Sequence, residues 1–343
     1  MANYAIFDEQ YYLAQYPWVQ PAIEAEIITS GRDHFEKFGQ AAGLTQVSRY
    51  FDEATYLAGN PDIAALVRSP NNPNAPFATG LDHFIQYGYE EGRTRVSPEY
   101  DEAFYLAKNQ QLQPLIQNGT FKNGYQHFIQ VGRKEGKSGT SFNESEYLRS
   151  YPDVRQVVES GALKTGREHY FNFGKNEPNR SASFDGTSGN DILTDVGLGD
   201  SYWDGVEVNF LYDPIQQTSS RIGSVGRDEF DTLIGGSGRD TFNFGYRRGN
   251  RGNVNITNVY YYIGPGFATI RNFTPGEDRI SIPGSSADLL AFPINNNRDL
   301  AIQRKGLPFV NNGVTETSPS DTIAVIEGGG NLSLNQLNFF EFR

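Results

Sequence analysis

A two-part chain, all-α helical-hairpin repeats followed by a mainly β domain, is predicted by three observations. One motif recurs four times before residue 183, the text switches to Gly, Asn, Asp and β-branched residues from residue 184, and 37 glycines accompany no cysteine. The 343 residues suit about two domains of ordinary size. The glycines follow no three-residue period, which excludes collagen and favours a turn-rich fold. Much of what can be buried is aromatic, with 24 Phe, 20 Tyr and 2 Trp.

The repeat opens as Phe7-Asp8-Glu9, Phe51-Asp52-Glu53, Tyr100-Asp101-Glu102 and Phe142-Asn143-Glu144, at intervals of 44, 49 and 42 residues. Tyr12-Leu13, Tyr56-Leu57, Tyr105-Leu106 and Tyr147-Leu148 follow. Asp8, Asp52, Asp101 and Asn143 suit helix N-caps, because their side-chain oxygens can accept from the free amides of a first turn. Pro17, Pro61 and Pro152 stop or restart each helix. A second half then runs Gly31-x-x-His34-Phe35, Gly80-x-x-His83-Phe84, Gly124-x-x-His127-Phe128 and Gly166-x-x-His169-Tyr170, closing on Gly39, Gly88, Gly132 and Gly174. Two short helices per unit are expected, with Gly39 as a positive-φ C-cap. A hairpin this small cannot bury its aromatic face alone, so residues 1–183 read as one α-helical domain of four repeats, near 7–50, 51–99, 100–141 and 142–183. All four histidines share one register and read as packed, hydrogen-bonded spacers, with zinc ligation or base catalysis as the alternative.

These motifs, with the endings Glu91-Gly92-Arg93 and Glu135-Gly136-Lys137, resemble a helical repeat found in bacteria beside glycosyltransferase and secreted calcium-binding domains. The resemblance implies context and no chemistry.

From residue 184 to 343 the chain reads in nines. Gly186–Thr194, Asp195–Trp203, Gly226–Ile234 and Gly235–Asn243 place Asp191, Asp200, Asp231 and Asp240 at the sixth position, and a poorer unit puts Asn209 there. Glycine-rich halves permit turns whose carbonyls face inward, and the aspartates add charge suited to a hard cation. The alternating halves, such as Thr232-Leu233-Ile234, read as short strands with the large apolar residue inward.

This ladder resembles the nonapeptide of RTX, or hemolysin-type, calcium-binding β-rolls. The segment from Gly266 to Ile282, with Ile270-Arg271-Asn272-Phe273 at its centre, resembles the region after the repeats in serralysin-type secreted proteins. The resemblance implies a short parallel β-roll or β-sandwich holding Ca²⁺ through Asp191, Asp200, Asn209, Asp231 and Asp240 with the turn glycines Gly189 and Gly238. Same-side turns of such a coil are two nonapeptides apart, so Asp191 is expected to pair with Asn209, and Asp200 with the intervening insertion. It also implies folding on metal after type I export, with a C-terminal export signal over Leu332–Phe342. Ordinary Asp-Gly turns that hold no metal are the alternative.

The acidic balance, 29 Lys and Arg against 41 Asp and Glu, argues against a nucleic-acid partner. No apolar run approaches the ~20 residues of a membrane span, and Met1 to Gln20 does not read as a cleavable signal peptide. No His-Glu-x-x-His, Gly-x-Ser-x-Gly or phosphate-loop pattern occurs, so an enzyme is not expected. Tyr246–Arg251 reads as an arginine-bearing loop and Tyr260-Tyr261-Tyr262 as alternating burial in a strand. The expectation is a secreted or cell-surface calcium-binding structural protein whose repeats mediate self-assembly or contact an extracellular partner. A carbohydrate-binding module with a polysaccharide partner is the alternative, and a hydrolase a more remote one.

Overall fold

The structure, a computed structural model, describes residues 3–195, 197–207, 209–213, 218–222, 225–248, 257–306, 308–311, 314–317, 319–334 and 338–340. The chain is mixed α and β. Contacts divide it into two compact units, Met1–Thr140 with Glu144–Asn172, and Ser141–Asn143 with Phe173–Arg343. Residues 173–183, read from sequence as the end of the fourth repeat, lie with the second unit, where Ala182 opens the first strand.

In the first unit the opening helices are Glu9–Gln15, Glu53–Gly59, Glu102–Lys108 and Glu144–Ser150. Asp8, Asp52 and Asp101 cap the first three by accepting from the Tyr11, Thr55 and Phe104 amides. Each repeat has at least three helical segments where two were expected. Pro17, Pro61 and Pro152 start an additional one, because proline lacks the N–H that a first helical position does not use. A later segment carries the histidine. It is tied to the first by three bonds of two kinds that recur in all four repeats. Glu9, Glu53, Glu102 and Glu144 accept from the paired amides at Gly31–Arg32, Gly80–Leu81, Gly124–Tyr125 and Gly166–Arg167. The Tyr12, Tyr56 and Tyr105 hydroxyls lie 2.8 Å from Nδ1 of His34, His83 and His127, and Tyr147 lies 3.0 Å from His169.

The same hydroxyls explain Gly39 and its counterparts. Gly39 has no positive φ; Gly43, Gly92 and Gly136 have it. A Cβ on Gly39 would sit 2.7 Å from the Tyr12 hydroxyl, and on Gly132 2.0 Å from that of Tyr105, so glycine is required for close approach and not for a cap. The fourth repeat packs on the first: the Arg49 guanidinium donates to the Val158, Leu163 and Lys164 carbonyls, and Gln15 to that of Gly161.

Burial holds the His34, His83 and His127 imidazoles below the ordinary histidine pKa, so they are neutral in the fold. A depressed pKa contributes stability above the unfolded value, and that stability is lost as pH falls through the folded one. The histidine contribution is therefore expected to be full above about pH 6.5 and lost below it, opposed by Glu144, whose carboxyl is pushed by burial up to about 7 so that its own contribution is lost as pH rises. A His127→Gln variant that kept the wild-type pH slope on calorimetry would show that this ring charges without cost.

The second unit is a parallel coil that visits two sheets alternately. One sheet pairs β1 (Ala182–Gly186), β3 (Ser201–Glu207), β7 (Thr241–Asn243), β11 (Arg279–Ser281) and β17 (Asn338–Phe340), all parallel. The other pairs β2 (Ile192–Thr194), β6 (Phe230–Ile234), β10 (Phe267–Arg271) and β16 (Asp321–Ile326) in parallel, then adds β13 (Asp299–Arg304) and β12 (Leu289–Ile294) antiparallel. Three antiparallel hairpins interrupt the coil: β4 (Asn209–Asp213) with β5 (Thr218–Ile222), β8 (Gly245–Arg248) with β9 (Thr257–Tyr260), and β14 (Pro308–Asn311) with β15 (Val314–Thr317). Two inward columns build the core. Leu193, Leu233, Ile270 and Ile326 are in register in one sheet. In the other, Phe184, Trp203, Phe242 and Ile280 align, with Trp203 stacked 4.6 Å from Phe184 at 16°.

Candidate site at the aspartate turns

Three of the aspartates that stand two residues before an inward apolar side chain close their own turns. Asp191, Asp240 and Asp278 accept from the amides four residues earlier, those of Thr187, Gly236 and Thr274, at 2.6, 2.8 and 2.7 Å. The aligned residue of the preceding coil also donates: Asp191 N–H to Asp231 at 2.8 Å, and Asp240 N–H to Asp278 at 2.9 Å. The ladder is thus a set of turn clamps before any ligand is considered.

Its two edges differ. At one, Asp191 and Asp231 are aligned between β2 and β6. Asp231 is buried, and its second oxygen accepts from the Tyr262 hydroxyl. Burial pushes its carboxyl up to about 6, against the lowering effect of Tyr262 and the Asp191 amide. Asp191 accepts from both the amide and the hydroxyl of Thr187. N–H and O–H donors thus engage both oxygens of Asp231 and Oδ2 of Asp191.

At the other edge Asp195, Asp240 and Asp278 are each buried to 3% exposure or less. Asp195 accepts from Gly197 N–H and the Ser201 hydroxyl. Oδ1 of Asp240 is buried with no hydrogen-bond partner. The Ser201 amide of the preceding coil is aligned with Asp240 and lowers its pKa, but falls outside bonding geometry to Oδ1. Burial first, then the charges of Asp278 and Asp195, push the Asp240 carboxyl up to about 8. Five of the six oxygens of Asp195, Asp240 and Asp278 accept from N–H or O–H donors, and Oδ1 of Asp240 alone is left over as a hard-oxygen donor of the kind Ca²⁺ takes. Among the described residues, no group of three or more His, Cys, Asp or Glu side chains is placed to hold a metal ion.

The structure places the other residues expected to bind metal elsewhere. Asp200 does not meet the insertion; it forms a salt bridge with Arg239 at 2.6 Å, because the register puts Ser201, not Asp200, opposite Asp240. Asn209 does not pair with Asp191. It begins the inserted hairpin, opposite Ile222, because β3 and β6 are separated by that hairpin and β2 pairs directly with β6. Gly189 donates its amide to the Thr187 hydroxyl. Gly238 sits where a Cβ would be 2.0 Å from the Gly199 carbonyl, so it lets two coils touch.

Two of these three buried aspartates escaped the sequence reading. Asp278 carries the same signal as Asp240, an aspartate two residues before an inward apolar residue, here Ile280. Asp195 stands at the first position of its nonapeptide, where a glycine is expected, and carries no such signal. Tyr261 and Tyr262 are both buried, so no strand alternation holds there; β9 ends at Tyr260, and Tyr262 takes a φ of 58°. Of the Tyr246–Arg251 run, residues 249–251 lie outside the described residues, as do 335–337 and 341–342 of the expected export signal.

No family model matches the chain, and no curated protein matches it. Among solved structures, a subunit of the mannuronan C5-epimerase from Azotobacter vinelandii is 17% identical, over 45% of this chain and 76% of that one, with a TM-score of 0.14. That overlap is below a shared fold, and none of that protein's chemistry is transferred to this chain.

Proposed function

We propose that this is an extracellular calcium-binding structural or interaction protein. Its second unit is an RTX-type parallel coil that folds on Ca²⁺ after export, and its helical repeats mediate assembly or partner binding. The observation that supports this reading is the orphaned, buried Asp240 oxygen beside Asp195 and Asp278. Ca²⁺ bound there would supply positive charge where these carboxyls otherwise repel; Asp240 and its neighbours would hold it, and the amide clamps would keep the turns in register. Binding free energy then becomes folding free energy. Calorimetry of the full chain tests it. Chelation should lower the melting transition of the β unit and leave the helical transition in place, whereas two transitions that ignore both chelator and added Ca²⁺ would sink the reading.

A carbohydrate-binding module is the second reading, favoured by a groove of about 530 Å³ on the β unit, walled by Phe230, Phe267 and Phe292 and edged by Gln303 and Asp321. Rings beside planar polar groups suit the apolar faces and hydroxyls of neutral sugars. Glycan-array binding lost on Phe292→Ala would promote it.

A further inference from the structure

A second cleft lies wholly within the helical unit, where the first, third and fourth repeats meet. Its volume is about 370 Å³, which suits one sugar ring. Four cations line it in a chain of net charge −12: Arg49, Arg133, Lys137 and Lys164. Two are committed. Arg49 is bonded to Asp8 and three carbonyls, and Lys164 lies 3.2 Å from Asp52.

The other two are not. Arg133 spends only Nε, on the Ile129 carbonyl, and its guanidinium stands 6.0 Å over the Tyr50 ring, which fixes the plane. Its terminal nitrogens meet no acceptor among the described residues. Lys137 has only a 3.6 Å contact to half-exposed Glu135. Left-handed Gly136 makes the turn that brings Lys137 to the cleft. Of the two lining carboxylates, Glu144 accepts from the Gly166 and Arg167 amides, and exposed Glu159 has a 3.9 Å contact to Arg155.

A planar guanidinium held by its Nε and by a ring, with both terminal nitrogens open, is preorganised for the two oxygens of a carboxylate. Lys137 adds a point charge, and the lining Ser138 and Ser145 hydroxyls offer partners for sugar hydroxyls. We propose that this cleft binds a sugar acid, with its carboxylate on Arg133 and Lys137. The site is independent of the calcium reading, since no residue of the β unit lines it.

The test measures the helical melting transition of the full chain with D-galacturonate, D-galactose or acetate, and isothermal titration with galacturonate. Galacturonate should raise the transition; galactose, which lacks the carboxylate, should not, and acetate should do so far more weakly. Arg133→Gln should weaken galacturonate about tenfold or more, the loss expected when a charged bidentate partner is removed. Lys137→Gln, which gives up only the 3.6 Å contact to Glu135, should weaken it less and serves if Arg133→Gln does not fold. No galacturonate response, an equal response to acetate or galactose, or a response that survives both variants would overturn the proposal.

Discussion

Trp203→Ala lowers the unfolding free energy of the β unit by about 3–5 kcal/mol, the loss expected when a fully buried large aromatic is truncated. Trp203 is 0% exposed and sits in the middle of the inward column, stacked on Phe184 and lying 6.2 Å from Phe242 at 8°. Its removal leaves a void between two coils whose backbones are pinned by parallel ladders, so the walls cannot collapse. Its indole Nε1 is buried with no hydrogen-bond partner. Trp203→Phe should therefore cost less than ring area alone implies, because it deletes an unsatisfied donor along with the lost contact. Calorimetry of the full chain reads both. An alanine loss of under about 1 kcal/mol, the size of a surface substitution, would mean that the column is not the core.

The repeats were legible because each is a local device. An Asp caps the helix that it precedes, and the Tyr and His lie 22 residues apart in three repeats and 27 in the second. The inward column was equally legible, since Leu193, Leu233 and Phe242 each stand two residues after an aspartate. What the sequence concealed was register. A coil interrupted by hairpins keeps its sheet order but not its spacing, so counting two nonapeptides from Asp191 reached Asn209 while the strands paired Asp191 with Asp231. The same shift moved Asp200 out of the ladder and onto Arg239. Gly39 misled for a related reason. Its need for glycine comes from a hydroxyl 27 residues earlier in sequence, and local turn chemistry carries no trace of it.

Asp240→Asn is expected to separate the clamp from the charge. The ordinary aspartate pKa is about 3.9, and Asp240 is raised to about 8, so its fold contribution is full at acid pH and is lost as pH rises through that interval. Asp231, at about 6, and Asp278, also raised, act in the same direction. The metal-free β unit should thus lose stability on going from acid to weakly alkaline pH, by up to about 1.4 kcal/mol per pH unit for each carboxyl held protonated. Ca²⁺ prefers the ionised group, so its stabilisation should grow over the same range and reach about 2.7 kcal/mol at a hundred times its dissociation constant. Asp240→Asn removes both effects at this position. Without metal the variant should be the more stable protein near pH 8, because no buried charge forms, and its response to Ca²⁺ should be largely gone. Melting of the full chain at acid, neutral and alkaline pH, with chelator and with Ca²⁺, gives the four curves needed. A variant that kept the wild-type pH slope would show that Asp240 is not the titrating group, and one that kept the wild-type gain from Ca²⁺ would move the cation away from this edge.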